Sequence, residues 1–244
     1  MLSVVVPCYN EADRVGRMAS LIDAHASLGW EWVFVDDGSS DSTVTRLHEF
    51  QGRTQADIQV LVHDRNRGKG AAVRTGVLAA QRICVGYVDA DLAASPLDFG
   101  PYLNDVDIVE GEALLVGIRL LTEKKQVKRT AFRHFLGRIY QTYLSNVTGL
   151  TVYDTQCGFK MLQTARGKQI FEEMACNGFA FDAELILLAE WKYGMEIREV
   201  PIAWEEQHHS RVRPWTAARM FSELVGIHRR CRQYKPANAQ GERS

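Results

Sequence analysis

The sequence has no run of apolar residues approaching the ~20 that a membrane-spanning helix needs, so any membrane contact is expected to be peripheral. It shows no signal-peptide pattern, because it reads as a strand almost from its first residue. It has no C-x-x-C pair. The five cysteines, Cys8, Cys84, Cys157, Cys176 and Cys231, are odd in number and scattered, which fits a reducing, cytoplasmic compartment rather than a disulfide framework. Internal repeats and low-complexity linkers are absent. The pattern G-x-x-x-x-G-K-[ST] is missing, so Gly68-Lys69-Gly70 is not a P-loop despite its look. Net charge is only −1, which by itself implies no partner.

What is present is a chain of 244 residues, 46% hydrophobic, enough for one large domain or one and a half with a proper core. The charge is unevenly spread. Residues 124–138 and 207–235 each carry +6, which leaves −13 on the rest. An acidic body with two basic segments points to an anionic ligand or surface, and solvated helix faces would look the same.

The first ninety residues alternate strand and helix patterns. Leu2 to Val6 is a β-branched run stopped by Pro7, and Ala12 to Leu28 has helical periodicity. Glu31 to Val35 is a second strand, followed by a helix with Asp41 or Ser42 as its N-cap. Ile58 to Val62 is a third strand. A helix opens at Gly68-Lys69-Gly70 and runs to about Gln81, and Ile83 to Val88 is a fourth strand. This is the signature of a parallel, doubly wound α/β sheet. The later half is less regular. Asp107 to Val116 reads as one or two strands broken at Gly111, Val127 to Asn146 as a long helix, and Cys157 to Leu162 as a strand. Phe181 to Tyr193 reads as a helix, Ile197 to Ile202 as a strand, Thr216 to Arg232 as a final helix, and Pro236 to Ser244 as a frayed tail.

The most informative motif is Asp89-Ala90-Asp91, at the end of the fourth strand. Ligands bind open α/β sheets at that carboxyl edge. Side chains two apart on a strand point the same way, so both carboxylates can face one hard divalent cation, Mg²⁺ or Mn²⁺. Aspartates two apart are also common turn and capping residues. Two further segments end at the same edge: Pro7-Cys8-Tyr9-Asn10-Glu11, and Asp36-Asp37-Gly38-Ser39. An aromatic ring and carboxylates there can stack on a base and accept from its N–H groups.

Together, and in this order, Val4 to Glu11, Val35 to Ser39, Asn66 to Gly76 and Asp89 to Leu92 resemble the family 2 glycosyltransferases of the GT-A fold. That fold is a Rossmann-like, mostly parallel central sheet with helices on both faces. The resemblance covers roughly residues 1–210. Asp154-Thr155-Gln156-Cys157-Gly158-Phe159-Lys160, Phe181-Asp182-Ala183-Glu184-Leu185, and Gly117-Ile118-Arg119 with Arg129 and Arg133, look like the branch that makes polyprenyl-phosphate sugars. Within it they are most similar to the dolichyl-phosphate β-glucosyltransferases. Mannosyl relatives often carry Gln-His after the Asp-x-Asp-Leu. Here Ala93-Ala94 stand there, which weakens a mannosyl assignment and leaves a third metal ligand unnamed.

The resemblance implies an inverting, metal-dependent transferase. It would move a hexose, glucose rather than mannose, from a nucleotide sugar (UDP-glucose or GDP-mannose) to a polyprenyl or dolichyl phosphate. Pro7, Tyr9, Glu11, Asp37 and Lys69 would bind the nucleotide. Asp89 and Asp91 would hold metal and diphosphate, with Arg211 as a further cation. Arg119, Arg133, Gln156 and Ser210 would bind the acceptor. The pair His208-His209 sits badly for one metal, because neighbours on an extended segment point apart. A phosphate acceptor needs no general base, whereas a hydroxyl acceptor would need one, and Asp182 is then the candidate unless it merely caps the following helix. A soluble family 2 enzyme acting on a sugar or protein hydroxyl is therefore the alternative. A nucleotidyltransferase would show a Gly-rich loop after the first strand, where Pro7-Cys8-Tyr9-Asn10 stands. A catalytically dead module would not need the Asp89/Asp91 pair.

The expected organisation is a single GT-A domain over 1–235. It comprises a nucleotide-sugar half (1–92), an acceptor half (93–215) and a basic amphipathic helix (216–235), followed by a flexible tail (236–244). The helix at 216–235 would lie on the cytoplasmic face of a membrane, the other options being core packing or a membrane-anchoring partner protein. No nucleic-acid partner is expected.

Overall fold

The computed structural model describes residues 1–119, 152–204 and 214–236. They form a seven-stranded sheet of order β3-β2-β1-β4-β6-β5-β7. The strands are β1 (Leu2–Cys8), β2 (Glu31–Asp36), β3 (Asp57–Val62), β4 (Cys84–Val88), β5 (Ala113–Arg119), β6 (Phe159–Gln163) and β7 (Glu196–Ile202). Six run parallel. β6 alone is antiparallel, to both β4 and β5.

Strict alternation along the strands builds the two faces. Val5, Val33, Val35, Val85 and Tyr87 point to one side. There they pack on α3 (Lys69–Ala79), α5 (Thr164–Glu173), α6 (Phe181–Leu187) and α7 (Pro214–Cys231). Val4, Val6, Trp32, Phe34 and Met161 point to the other. They meet α1 (Ala12–Ala24), α2 (Thr43–Arg53) and α4 (Val106–Glu110), with Phe99 stacked on Phe159 at 4.0 Å. Helices on both faces of a mostly parallel sheet are the architecture expected from the sequence.

The order turns around between β1 and β4: β2 and β3 lie to one side of β1, and β4 lies to the other. That reversal opens a crevice at the carboxyl ends of β1 and β4. Pro7 is tolerated in β1 because β4 pairs only with Leu2–Val5, so the strand has left that ladder before the proline.

Three sequence expectations are corrected here. The segment 107–116 is not one broken strand. Asp105 accepts from the Ile108 amide and starts α4, Gly111 ends it with φ +83°, and β5 begins only at Ala113. The adjacent apolar pair Ile108-Val109 in this five-residue helix mimics a strand. Helix α5 was not expected at all. Its buried positions, Thr164, Gly167, Ile170 and Phe171, include only two large apolar residues, too few to show a period. The helix from Phe181 passes into a single π turn at Leu188–Lys192. The expected helix Val127 to Asn146 lies outside the described residues, as does the tail beyond residue 236.

Candidate active site

The carboxyl edge is assembled by hydrogen bonds between loops. Asp36 is fully buried and accepts from the amide and hydroxyl of Ser39, at 2.8 and 2.5 Å. The Ser39 hydroxyl in turn accepts from the Asn10 backbone N–H, at 2.7 Å, and the Asn10 side-chain Oδ1 accepts from the Ser40 backbone N–H, at 2.8 Å. Asn10 takes φ +55° to close this clasp, a conformation asparagine adopts more readily than most residues. Asp41 accepts from both the Ala12 and Thr43 amides, so one side chain caps α1 and α2 together. Tyr9, 43% exposed, and the half-buried Pro7 stand on the rim that results. Glu11 pairs with Arg14 at 2.6 Å.

Asp37 is buried, 3% exposed. It accepts from the Arg67 and Gly68 amides, both at 2.8 Å, and contacts His63 Nδ1 at 2.8 Å. His63 Nε2 reaches Thr75 on α3, at 2.9 Å. This carboxylate therefore fixes the turn that delivers Lys69. Gly38 and Gly68, at φ +71° and +105°, are required by crowding. A Cβ at Gly38 would strike the Arg65 backbone, and one at Gly68 the Asn177 carbonyl. Those close approaches account for the glycines of Gly68-Lys69-Gly70 without a phosphate loop.

Lys69 Nζ lies 2.6 Å from Asp89 Oδ1. Burial alone would lower its pKa, but Asp89, Asp182 and Asp91 outweigh that and hold it above the ordinary lysine value. Asp91 Oδ1 accepts from the Ala93 amide at 3.0 Å, in a turn where Leu92 takes φ +54°. Gly158 abuts Asp89 so closely that a Cβ there would overlap the carboxylate. Beyond it, Arg119 grips Asp154 through a two-bond fork, at 2.6 and 2.8 Å, and lies 5.7 Å from the Trp204 ring. Gln156 is half-buried in the same 154–158 loop.

A family model described as "Glycosyl transferase family 2" matches residues 3–166. The chain belongs to glycosyl transferase family 2. It is 33% identical, over 93% of its length and 72% of the relative's, to a dolichyl-phosphate beta-glucosyltransferase of Trichomonas vaginalis. The same identity and coverage of this chain hold for that of Mus musculus, with 74% of the relative covered. Its fold is similar to that of glucosyl-3-phosphoglycerate synthase from Mycobacterium tuberculosis, with TM-score 0.68, 20% identity, 93% of this chain and 79% of that chain. That enzyme has also been solved with Mg²⁺ and uridine-diphosphate.

For a family 2 enzyme, the structure brings Pro7, Tyr9, Glu11, Asp37, Lys69, Asp89 and Asp91 to one sheet edge. Arg133, Ser210, Arg211 and the pair His208-His209 lie outside the described residues. Asp182 is 2% exposed, and its carboxylate is engaged by the Tyr87 hydroxyl at 2.5 Å and by Lys160 at 2.6 Å. One expectation is corrected for part of α7: Leu224, Ile227 and Cys231 are buried in the core, with Met220 packed against it, while Val225 is exposed. Arg230 on that helix pairs with the buried Glu184 at 2.8 Å.

Sequence reasoning assigned no role to Lys160, Asp154, Tyr87 or His63. The signal for Lys160 was available: a lysine inside the apolar strand Phe159-Lys160-Met161-Leu162 must find partners indoors. His63 and Asp154 offered no such signal, because their partners come from distant segments.

Proposed function

We propose that this chain is an inverting glucosyltransferase that moves glucose from UDP-glucose to a polyprenyl phosphate. The observation that carries the reading is the Lys69–Asp89–Asp91 constellation at the β1/β4 crevice, in a chain similar along 93% of its length to dolichyl-phosphate beta-glucosyltransferases. Tyr9 and Pro7 receive the base, and Asp37 holds the turn beneath it.

The residues present fit a divalent cation. Asp89 and Asp91 supply hard oxygen donors, and among the described residues no third His, Cys, Asp or Glu joins them. A cation that completes its shell with water and diphosphate oxygen suits such a pair. Bound there, Mg²⁺ or Mn²⁺ would neutralise the leaving diphosphate. Lys69 adds a fixed positive charge beside it. One oxygen of the acceptor phosphate attacks the sugar C1, the bond from C1 to the diphosphate oxygen breaks, and the nucleotide leaves with the electron pair. The attacking phosphate is already anionic, so positioning and charge balance suffice. The sequestered Asp182 speaks against the hydroxyl-acceptor alternative.

Arg119 serves the acceptor side through the Asp154 fork, with Arg133, Gln156 and Ser210 completing that side and Arg211 the diphosphate side. Among the described residues no helix is long and apolar enough to cross a membrane. We place the enzyme on the cytoplasmic membrane face, held by the exposed Arg219 and Arg229 of α7 and Arg232 just after it, or by an anchoring partner. A panel of nucleotide sugars, each with and without polyprenyl phosphate, tests the reading. Turnover is expected with UDP-glucose only when the lipid is present. Turnover only with GDP-mannose, or only with a hydroxyl acceptor, would overturn it.

A further inference from the structure

Lys160 is 0% exposed in the middle of the sheet, opposite Tyr87 on β4 and Val116 on β5. A lysine ammonium has three N–H donors, and here each has an acceptor: Asp182 Oδ1 at 2.6 Å, the Cys157 carbonyl at 2.8 Å and the Thr155 carbonyl at 3.0 Å. Thr155 and Cys157 are themselves buried, so without the ammonium both carbonyls would lose this partner indoors. Asp182 is completed by the hydroxyl of Tyr87 on β4, two residues before Asp89. The ammonium thus ties together β4, the start of α6 and the 154–158 loop. That loop has a working residue at each end. Asp154 holds Arg119 on the acceptor side, and Gly158 presses on the Asp89 carboxylate on the donor side.

We propose that Lys160 is a positioning residue for transfer: it anchors the 154–158 loop so that Gly158 seats Asp89 and Asp154 seats Arg119 at once. A buried pair of this kind adds little net stability over an apolar replacement. What an apolar replacement cannot supply is the pair of bonds to the Thr155 and Cys157 carbonyls. The inference rests on the donor reading above, because it takes Asp89 to serve a nucleotide diphosphate and its cation.

The test is calorimetric binding of UDP in the presence of Mn²⁺, on the full chain, alongside thermal melting. K160M alone leaves the buried Asp182 carboxylate without its ammonium partner and is expected to melt early. The double variant K160M/D182N removes the charge pair together and is expected to recover most of the melting temperature. It should nevertheless bind UDP–Mn²⁺ about 10- to 100-fold more weakly, the loss typical of removing an outer support of a metal ligand. G158A, which forces the Asp89 carboxylate to move, should reproduce the binding loss with Lys160 intact. If the double variant melts like wild type and binds UDP–Mn²⁺ equally well, Lys160 is merely structural and the proposal fails. If neither double variant nor K160M folds, full binding by G158A overturns the proposed loop contact. If wild type itself binds no UDP with Mn²⁺, the donor reading fails first, and this inference with it.

Discussion

At the scale of single residues, Lys69, Asp89 and Asp91 set the charge at the D-x-D. Asp91→Asn removes one of the two carboxylate charges that would hold the cation neutralising the diphosphate. It should cost ~10²-fold or more in kcat, and EDTA should abolish transfer until Mg²⁺ or Mn²⁺ is restored. Full activity in EDTA would remove the metal from the mechanism. Lys69 gives a pH expectation. Its folded pKa is raised above 10.5, so its ion pair is fully present below that value and is lost only as pH climbs through the still higher folded one. UDP binding, followed by calorimetry across neutral and mildly alkaline pH, should therefore show no lysine-linked decline. A midpoint near pH 8 would mean that Lys69 is not held by the carboxylates. For Arg119→Ala, the apparent KM for the lipid phosphate should rise far more than that for the nucleotide sugar. Asp154→Asn should do the same if the fork is what places the guanidinium. An effect confined to the donor would put the acceptor elsewhere.

At the scale of elements, α7 is the place where sequence and structure part. Its apolar stripe invites a membrane reading, yet Leu224 and Ile227 are 2% and 0% exposed against the core. Ile227→Ala should therefore destabilise the fold by about 2–5 kcal/mol in a denaturant titration. A loss under about 0.5 kcal/mol, the usual range for a surface site, would return the stripe to the surface. What remains for a membrane is charge. Arg229→Gln/Arg232→Gln should weaken flotation on anionic vesicles, with wild-type binding fading in salt. Arg230 is left out of that variant because its pairing with Glu184 would confound folding with binding. No flotation of wild type on any vesicle would point to an anchoring partner. The four strands and three helices before Asp89 were legible because the strands are rich in β-branched residues and each helix follows a turn. Element α5 was not, because Thr164 and Gly167 fill core positions that periodicity expects to be large and apolar. The site was legible where motifs end strands, as at Tyr9, Asp37 and Asp89. It was illegible where function depends on contacts across a hundred residues, as between Tyr87 and Asp182.

At the scale of the whole molecule, one sheet carries both halves of the proposed reaction. The parallel strands β1 to β4 lead into the residues proposed to bind the donor, and antiparallel β6 brings the 154–158 loop back against Asp89. The reversal at β6 is what lets residues far apart in the chain close one crevice. The central claim is glucosyl transfer to a lipid phosphate, and the most direct test is incorporation of label from UDP-[¹⁴C]glucose into solvent-extractable lipid. The purified chain is incubated with polyprenyl phosphate and Mg²⁺ and then extracted. The account predicts labelled lipid that requires the phosphate headgroup, is absent with free polyprenol, and falls ~10²-fold or more in Asp91→Asn. Label carried by free polyprenol or by a water-soluble hydroxyl acceptor, with none on the lipid phosphate, would contradict it.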